Sequence, residues 1–468
     1  MKATVFYFCN KKLDGVIKVY YNKGWFVLLI ISKIKKGCRV GFFGLGKSTS
    51  SLLRYLPLDK CEITLRDKRI IERDEIPKGL PIKRVLCGEK RYREINEDVI
   101  FFSPSVKRDA PELITAKQAG VVFSSDAELF FESNHTPVIA ITGSDGKSTT
   151  ATFTHLLLTA SGYSSYLVGN IGTPFTQNSD NVCDFFVTEL SSFMLSYLTP
   201  RSVSACITNI TPNHLDWHRD PEEYRAAKLN IAKNTDRLIV SDGEGYVKGA
   251  TGIISVDRSL GELKRLYEAE LYITLENDKI LKNGTELLTL SQIKRKEAHN
   301  LKNLMMAIAL TDGIVAKREI QVVARTFTGL AHRCECFLTR NGVEYIDSSI
   351  DSTPARTAAT LCSLNRDAVV ILGGRGKGLD YDELIPSLKR YARAVIVSGE
   401  NKYEIASRIK NDVRIEIIDD FTEAVLRGIL LAGTVGALVL SPASTSYDKF
   451  RNYAERGEKF KQIILENT

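Results

Sequence analysis

Short apolar runs recur along the chain, and most of them stop at a glycine, a serine or a carboxylate. Val40–Phe43, Val138–Ile141, Phe185–Thr188, Ala205–Ile207, Val343–Ile346, Ala368–Leu372, Ala394–Val397 and Ala437–Leu440 have the length and composition of strands covered on both faces. Glu62–Leu65 and Asp98–Phe102 read as two more. Between these runs, apolar residues fall at helical spacing over Ser50–Tyr55, Ala151–Ala160 and Ala298–Leu310, and Gly162 sits where a C-terminal cap would fall. Residues 271–290 alternate as hairpins about a tight turn at Asn283-Gly284. Strands alternating with helices predict an α/β protein with mostly parallel sheets. A chain of 468 residues is too long for one ordinary core. We expect an atypical basic extension over 1–36 and three α/β domains over 37–128, 129–330 and 331–468.

The loops after the strands carry the candidate chemistry. Thr142 to Thr150 reads TGSDGKSTT between a strand and a helix. Such a loop bares backbone N–H groups at a helix N-terminus, which favours phosphate oxygens. Gly143 and Gly146 admit close approach, Ser144, Asp145 and Thr149 complete the loop, Lys147 adds a point charge, and Ser148 offers a hydroxyl to Mg2+. The spacing is G-x-x-G-K-S, with Ile141 where a full P-loop has its first glycine. Glu189 ends the next strand, and His214 follows Ala205–Ile207 in TNITPNHLDWH; carboxylates at strand ends beside a phosphate loop commonly hold Mg2+. Taken alone, His214 also suits a core position. Asp220, Pro221 and Glu223 read as a helix start with a box-like D-x-x-E. Lys228 lies two turns on between small residues, either snorkelling or set in an apolar environment that favours its neutral amine. Asn300 and Asn303 share a helix face, fit to read a base or tie a loop.

At the N-terminal end, GLGKST follows the strand Val40–Phe43, and Asp67 ends a strand about twenty residues on. The third strand ends in Ser103-Pro104-Ser105. This is the layout of a Rossmann-like crevice, or else of a glycine needed for packing. The last third ends its strands in DSSIDSTPART, GGRGKGLD and SPASTSYDKF, and is also Rossmann-like.

Charge narrows the choice of partner. The net charge is +8, but residues 1–40 hold nine Lys or Arg and one Asp, leaving the remainder neutral. A folded body without a basic stripe argues against nucleic acid. The patch Trp25–Ile31 is far shorter than the ~20 residues needed to cross a bilayer, so no stable membrane insertion is expected. Nine cysteines, an odd number without a CxxC pair, suit a reducing compartment. Cys334 and Cys336 are expected to pack rather than bind metal.

The ordered set TGSDGKSTT, GNIGTP, TELSSF, NHLDWH, YRAAKLNIAKN, AHNLKN, GLAHRCE, GGRGKG and SPASTSYDKFRNYAERGEKF resembles the Mur ligase family over residues 37–468, and the C-terminal string resembles its D-glutamate-adding members. The resemblance implies a Rossmann-like N-terminal domain, a P-loop ATPase-like central domain and a Rossmann-like C-terminal domain. It implies a cytoplasmic, monomeric enzyme of peptidoglycan synthesis that joins D-glutamate to UDP-N-acetylmuramoyl-L-alanine with ATP and two Mg2+ ions. By the same resemblance, Lys147, Lys228 and His214 are catalytic. Gly143 to Thr149, Asn300, Asn303 and Arg333 hold ATP. Ser148, Glu189, His214 and a carbamylated Lys228 hold metal. Ser48, Asp67, Ser103, Ser105 and Asn170 hold the UDP substrate, and Ser352, Lys377, Ser446 and Tyr453 hold D-glutamate. Ser446 and Tyr453 are expected on one face of a single helix. The family's usual N-D-S-K-A-T-N is Asp347 to Thr353 here, so Ser348 and Ile350 replace an aspartate and a lysine. Asp347 or Asp351 is expected to stand in for the first and Arg356 for the second. Ser105 replaces a usual glycine. A related folate-type ligase and a relative without turnover are the rival readings. The N-terminal domain disfavours the first, and joint retention of Lys147, Glu189, His214 and Lys228 disfavours the second.

Overall fold

The computed structural model describes residues 34, 37–71, 76, 78–177, 182–211, 213–244, 249–376 and 379–468. The expected extension over 1–36, apart from Ile34, and Lys377 lie outside the described residues. The chain divides into two compact units. One takes the chain up to Ala140 together with Tyr166–Val203 and Pro212–Thr235; the other takes Ile141–Ser165, Ser204–Thr211 and Asp236–Thr468.

The first unit holds a five-stranded parallel sheet in the order Ile82–Cys87, Glu62–Asp67, Arg39–Phe43, Val99–Phe102, Val122–Ser124. Its core is aromatic, with Phe42 stacked on Phe101 at 5.5 Å and Phe43 on Phe102 at 5.4 Å. The order reverses at Arg39–Phe43, so the loops after that strand and after Val99–Phe102 face a switch-point crevice. Gly44 makes this possible: at φ +80° its missing Cβ would lie 2.8 Å from that of Ser103. The strand Ile82–Cys87 was not expected, because its Lys83 and Arg84 and half-exposed Val85 do not read as a buried run. Val99–Phe102 is therefore the fourth strand in sequence, not the third. Ile34 is buried in the same core as Val40 and Leu52, so the extension boundary drawn at residue 36 falls inside the fold. Helix Pro221–Leu229 is capped as expected, Asp220 accepting the N–H of Glu223. The box is not reciprocal: Glu223 takes the N–H of Arg219, one residue before the cap.

In the second unit, one sheet runs Thr285–Thr289, Lys279–Lys282, Leu271–Glu276, Gly252–Ser255, Leu238–Ser241, Ser204–Ile207 and then Val138–Thr142 as it enters the unit at Ile141. The hairpin strands are antiparallel and the pairs from Leu271–Glu276 to Ser204–Ile207 parallel. Asn283 and Gly284 both have positive φ, as the two-residue turn demands. Helix Ala298–Leu310 has the predicted bounds. The other sheet runs Glu335–Arg340, Val343–Asp347, Ala437–Leu440, Ala368–Leu372, Ala392–Val397, Ile415–Ile417, parallel except for its first pair. The last helix spans Tyr453–Asn467, with Asn452 as its cap. Residues 441–452 are not helical, so Ser446 and Tyr453 do not share a helix face. Ala443 has φ +54°, and the Thr445 N–H is taken by the carbonyl of Arg375; both are incompatible with helix there.

Candidate active site

The phosphate loop lies in the second unit. Helix Lys147–Ala160 starts directly after Gly146, which adopts φ +77°, and its first turn holds no acidic residue to offset the positive helix end. Two glycines are sterically required. A Cβ on Gly143 would fall 1.8 Å from Thr208 Oγ1, and one on Gly146 2.4 Å from Asn303 Oδ1. The segment after strand Ser204–Ile207 shapes the loop. Thr208 donates its hydroxyl to the Asp145 carbonyl, Asn209 Oδ1 accepts the Asp145 N–H at 2.9 Å, and the Ser144 hydroxyl donates to Thr211 O at 2.8 Å. Lys147 Nζ donates to the Gly143 and Ser144 carbonyls, both at 2.8 Å, which holds the ammonium across the loop.

This loop opens on a cavity of about 520 Å3, within the range of small-molecule sites. Asp145, Gly146, Thr149, Asn300, Asn303 and Arg333 line it together. Asn303 also accepts a 3.3 Å hydrogen bond from Thr150, and Asn300 donates to Glu297 at 3.0 Å, so each amide is partly committed to the fold. Arg295 and Arg356 bring two further guanidinium groups to the wall. Sequence reasoning missed Arg295 and Thr208; no short-range signal marks either. The replaced motif is now placed. Ser348 is buried and accepts the Cys334 N–H at 3.0 Å, and Asp347 is turned to His332 at 2.7 Å. Asp351 lines the cavity and accepts hydroxyls from Thr360 and Ser441 at 2.7 Å, with burial holding its carboxyl above the usual range. Burial also pushes the Cys334 thiol up to about 11, so it stays neutral.

In the first unit, the switch-point crevice encloses about 550 Å3. Asp67, Ser103 and Ser105 line it with Lys68, Arg69 and Lys107. Asp67 accepts the Leu45 N–H at 2.6 Å and that of Arg69 at 3.0 Å, fixing the glycine loop. Trp217, missed in the sequence, donates to Ser105 O at 2.9 Å. Ser48 does not line the crevice; its hydroxyl bonds Asp126, a carboxylate with no exposed surface. Burial pushes the Asp126 carboxyl up to about 6, against hydrogen bonds from Ser48, Ala127 and Phe175. The folded value exceeds the ordinary 3.8, so this stabilisation is full below about pH 4 and is lost as pH rises through about 6, roughly 3 kcal/mol in all. Asp126→Asn, which mimics the neutral acid, is expected to gain melting temperature relative to wild type as pH rises from 5 to 8. A difference independent of pH would refute the burial argument.

Glu189, 1% exposed at its strand end, accepts Asn170 Nδ2 at 2.6 Å. His214 and Lys228 meet at one ring: Lys228 Nζ lies 4.7 Å from the centroid of Tyr224, and the His214 ring 6.5 Å from it. Phe193, Trp217 and His218 complete an aromatic cluster around His214. His218, buried and bonded to Ser192 at 2.9 Å, is a further member the sequence reading passed over; the H-x-x-x-H spacing in NHLDWH was the available signal.

Of the expected D-glutamate contacts, Ser446 is buried, Ser352 half-buried and Tyr453 exposed beside His332 at 6.0 Å between rings. Among the described residues one acidic and histidine group has metal-like spacing, His332, Glu335 and Asp347. Lys461 already supplies its cation, 2.7 Å from Glu335 and 3.7 Å from Asp347.

Comparison with known proteins gives the family. Residues 141–311 match the Mur ligase middle domain, and residues 332–444 the Mur ligase glutamate ligase domain. A UDP-N-acetylmuramoylalanine–D-glutamate ligase of Ruminiclostridium cellulolyticum is 34% identical over 455 residues, covering 92% of this chain and 97% of its own. One of Clostridium kluyveri is 33% identical over 445 residues, covering 91% and 96%. Among solved structures, the UDP-N-acetylmuramate-alanine ligase MurC of Thermotoga maritima shares the fold with TM-score 0.57 and 18% identity, over 92% of this chain and 100% of that one. MurF of Acinetobacter baumannii does so with TM-score 0.53 and 16% identity, over 74% and 82%. With a third of its residues shared along nearly its whole length, and both characteristic domains matched, the chain belongs to the Mur ligase family, the ATP-dependent amide ligases.

Proposed function

We propose that this protein joins D-glutamate to UDP-N-acetylmuramoyl-L-alanine at the expense of ATP, in peptidoglycan precursor synthesis. The observation that carries the ATP half is the phosphate loop, with Lys147 held across it, opening on a cavity walled by Arg295, Arg333 and Arg356. The printed names of the 33–34% identical relatives support the choice of substrates. The substrate carboxylate attacks the γ-phosphoryl group, giving an acyl phosphate and ADP; the glutamate amine then attacks the acyl carbon and phosphate leaves. Both steps concentrate negative charge, so fixed cations and oriented N–H groups dominate the catalysis. Lys147 and the helix end at Gly146 stabilise the transferring phosphoryl group. Arg333, Asn300 and Asn303 seat the nucleotide, and Asp351 stands for the replaced aspartate.

The hard oxygen donors Ser148 and Glu189, and a carboxylated Lys228 beside His214, fit Mg2+ chemically, two ions in all. Bound Mg2+ supplies neutralising charge to phosphoryl oxygens. Asp67, Ser103, Ser105 and Asn170 hold the UDP substrate, and Ser352, Lys377, Ser446 and Tyr453 the amino acid. A first domain that takes in Ile34 and runs to 128, further domains over 129–330 and 331–468, a cytoplasmic location, a monomer and no nucleic-acid partner belong to the same reading. No helix among the described residues is long and apolar enough to cross a membrane.

The test is phosphate release from ATP with UDP-N-acetylmuramoyl-L-alanine and either D- or L-glutamate. Turnover is expected with the D form. A preference for L-glutamate or a diamino acid would overturn the substrate assignment while leaving the reaction class.

A further inference from the structure

Arg456 is 2% exposed, one of the largest fully buried side chains among the described residues. It lies in the first turn of the last helix, Tyr453–Asn467. A buried guanidinium is costly unless its donors are met. Four of its N–H directions are met, all by backbone carbonyls. Nη1 reaches Thr445 O at 3.1 Å and Gly373 O at 3.4 Å, while Nη2 reaches Ser349 O at 2.9 Å and Ser444 O at 3.0 Å. Burial lowers its pKa to about 10, which leaves it charged at neutral pH.

The positions of those carbonyls matter more than their number. Ser349 follows strand Val343–Asp347, Gly373 follows Ala368–Leu372, and Ser444 and Thr445 follow Ala437–Leu440. These three strands are adjacent and parallel in the sheet. One planar fork therefore ties together three consecutive loops at the carboxyl edge, where ligands of such sheets bind. The approach of the helix depends on Gly457. A Cβ there would lie 2.5 Å from Ser349 Oγ and 2.4 Å from His332 Nδ1. The loops are also tied to each other, Arg375 and Thr445 exchanging both backbone hydrogen bonds at 2.9 and 3.1 Å.

We infer that Arg456 is a positioning residue for the incoming amino acid: it sets the mutual spacing of the strand-end loops that carry Ser352 and Ser446. This rests on the proposed D-glutamate site. Arg456 lines no part of the nucleotide cavity, and Asp351, which does and lies two residues beyond Ser349, is held separately by the hydroxyls of Thr360 and Ser441, so the loss of Arg456 is expected at one substrate.

The test compares Arg456→Lys and Arg456→Gln with wild type in the full chain, measuring KM for D-glutamate, KM for ATP, kcat and melting temperature. Lysine keeps the charge without the planar fork, and glutamine keeps a planar pair of donors on a shorter side chain without the charge. Both are expected to raise KM for D-glutamate about tenfold or more, since misplacement by about 1 Å is costly, with KM for ATP within about twofold of wild type. Equal rises for both substrates, or a lower melting temperature with KM for D-glutamate unchanged, would reduce Arg456 to an ordinary core residue. Failure of both variants to fold would do the same. Wild-type turnover separates the two levels. If wild type does not use D-glutamate, the proposed function fails; if it does and the variants show no selective rise, only this inference fails.

Discussion

Lys147→Ala is expected to abolish ligation almost completely, by about 10^3-fold or more in kcat/KM, without unfolding the protein. The side chain donates to two loop carbonyls, Gly143 and Ser144, and melting temperature of the variant checks that the fold is kept. Under the proposed reading, its charge lies where the transferring phosphoryl group gathers negative charge, and losing an oriented donor at such a point costs orders of magnitude. Lys147→Arg is not expected to rescue, because the planar guanidinium cannot occupy the site of a point charge cradled by two carbonyls. Steady-state phosphate release across a range of ATP concentrations is the measurement. Near-normal turnover of Lys147→Ala would remove the loop from the active site.

The second large effect is expected at Lys228. Its side chain is 2% exposed, and Nζ sits over the Tyr224 ring that also neighbours His214. Under the proposed reading, the neutral amine adds to CO2 and sheds a proton, and the resulting carboxylate serves as an oxygen donor. Lys228→Ala is then expected to lose about 10^2-fold or more in kcat, since electrostatic stabilisation of the transferring group goes with it. Lys228 is one of the largest fully buried side chains among the described residues, so truncation also leaves a cavity, and a lower melting temperature is expected alongside the loss of activity. Lys228→Arg, which retains a cation but accepts no carboxyl group, should be equally inactive. Acetate, supplied at high concentration, should partly restore Lys228→Ala. Full activity of Lys228→Arg, or rescue of Lys228→Ala by methylamine instead of acetate, would assign the role to an ammonium and end the carbamate proposal.

Two buried arginines illustrate one device in separate parts of the molecule. Arg66 pairs with Glu97 and donates to the carbonyls of Arg91, Arg93 and Glu94 beside the switch-point crevice. Arg456 does the same for the loops of the last sheet. In both cases charge is buried to fix irregular backbone, for which no helix or strand partner exists.

The apolar runs, the glycine spacing of TGSDGKSTT and the capping residues are local signals, and each produced its element: strand Val138–Thr142, helix Lys147–Ala160, helix Ala298–Leu310 and the turn at Asn283-Gly284. That follows because burial on both faces and φ > 0 leave few residue choices. The tertiary structure decided what depends on distant partners. It separated Ser446 from Tyr453, because Arg456 and Arg375 claim the backbone groups that a helix over 441–452 would have needed. It placed Asp351 rather than Asp347 at the nucleotide cavity, and brought Arg295 and Thr208 to a loop far away in sequence. A carboxylate or guanidinium takes its partner from whichever element the fold packs against it, and no periodicity along the chain encodes that choice.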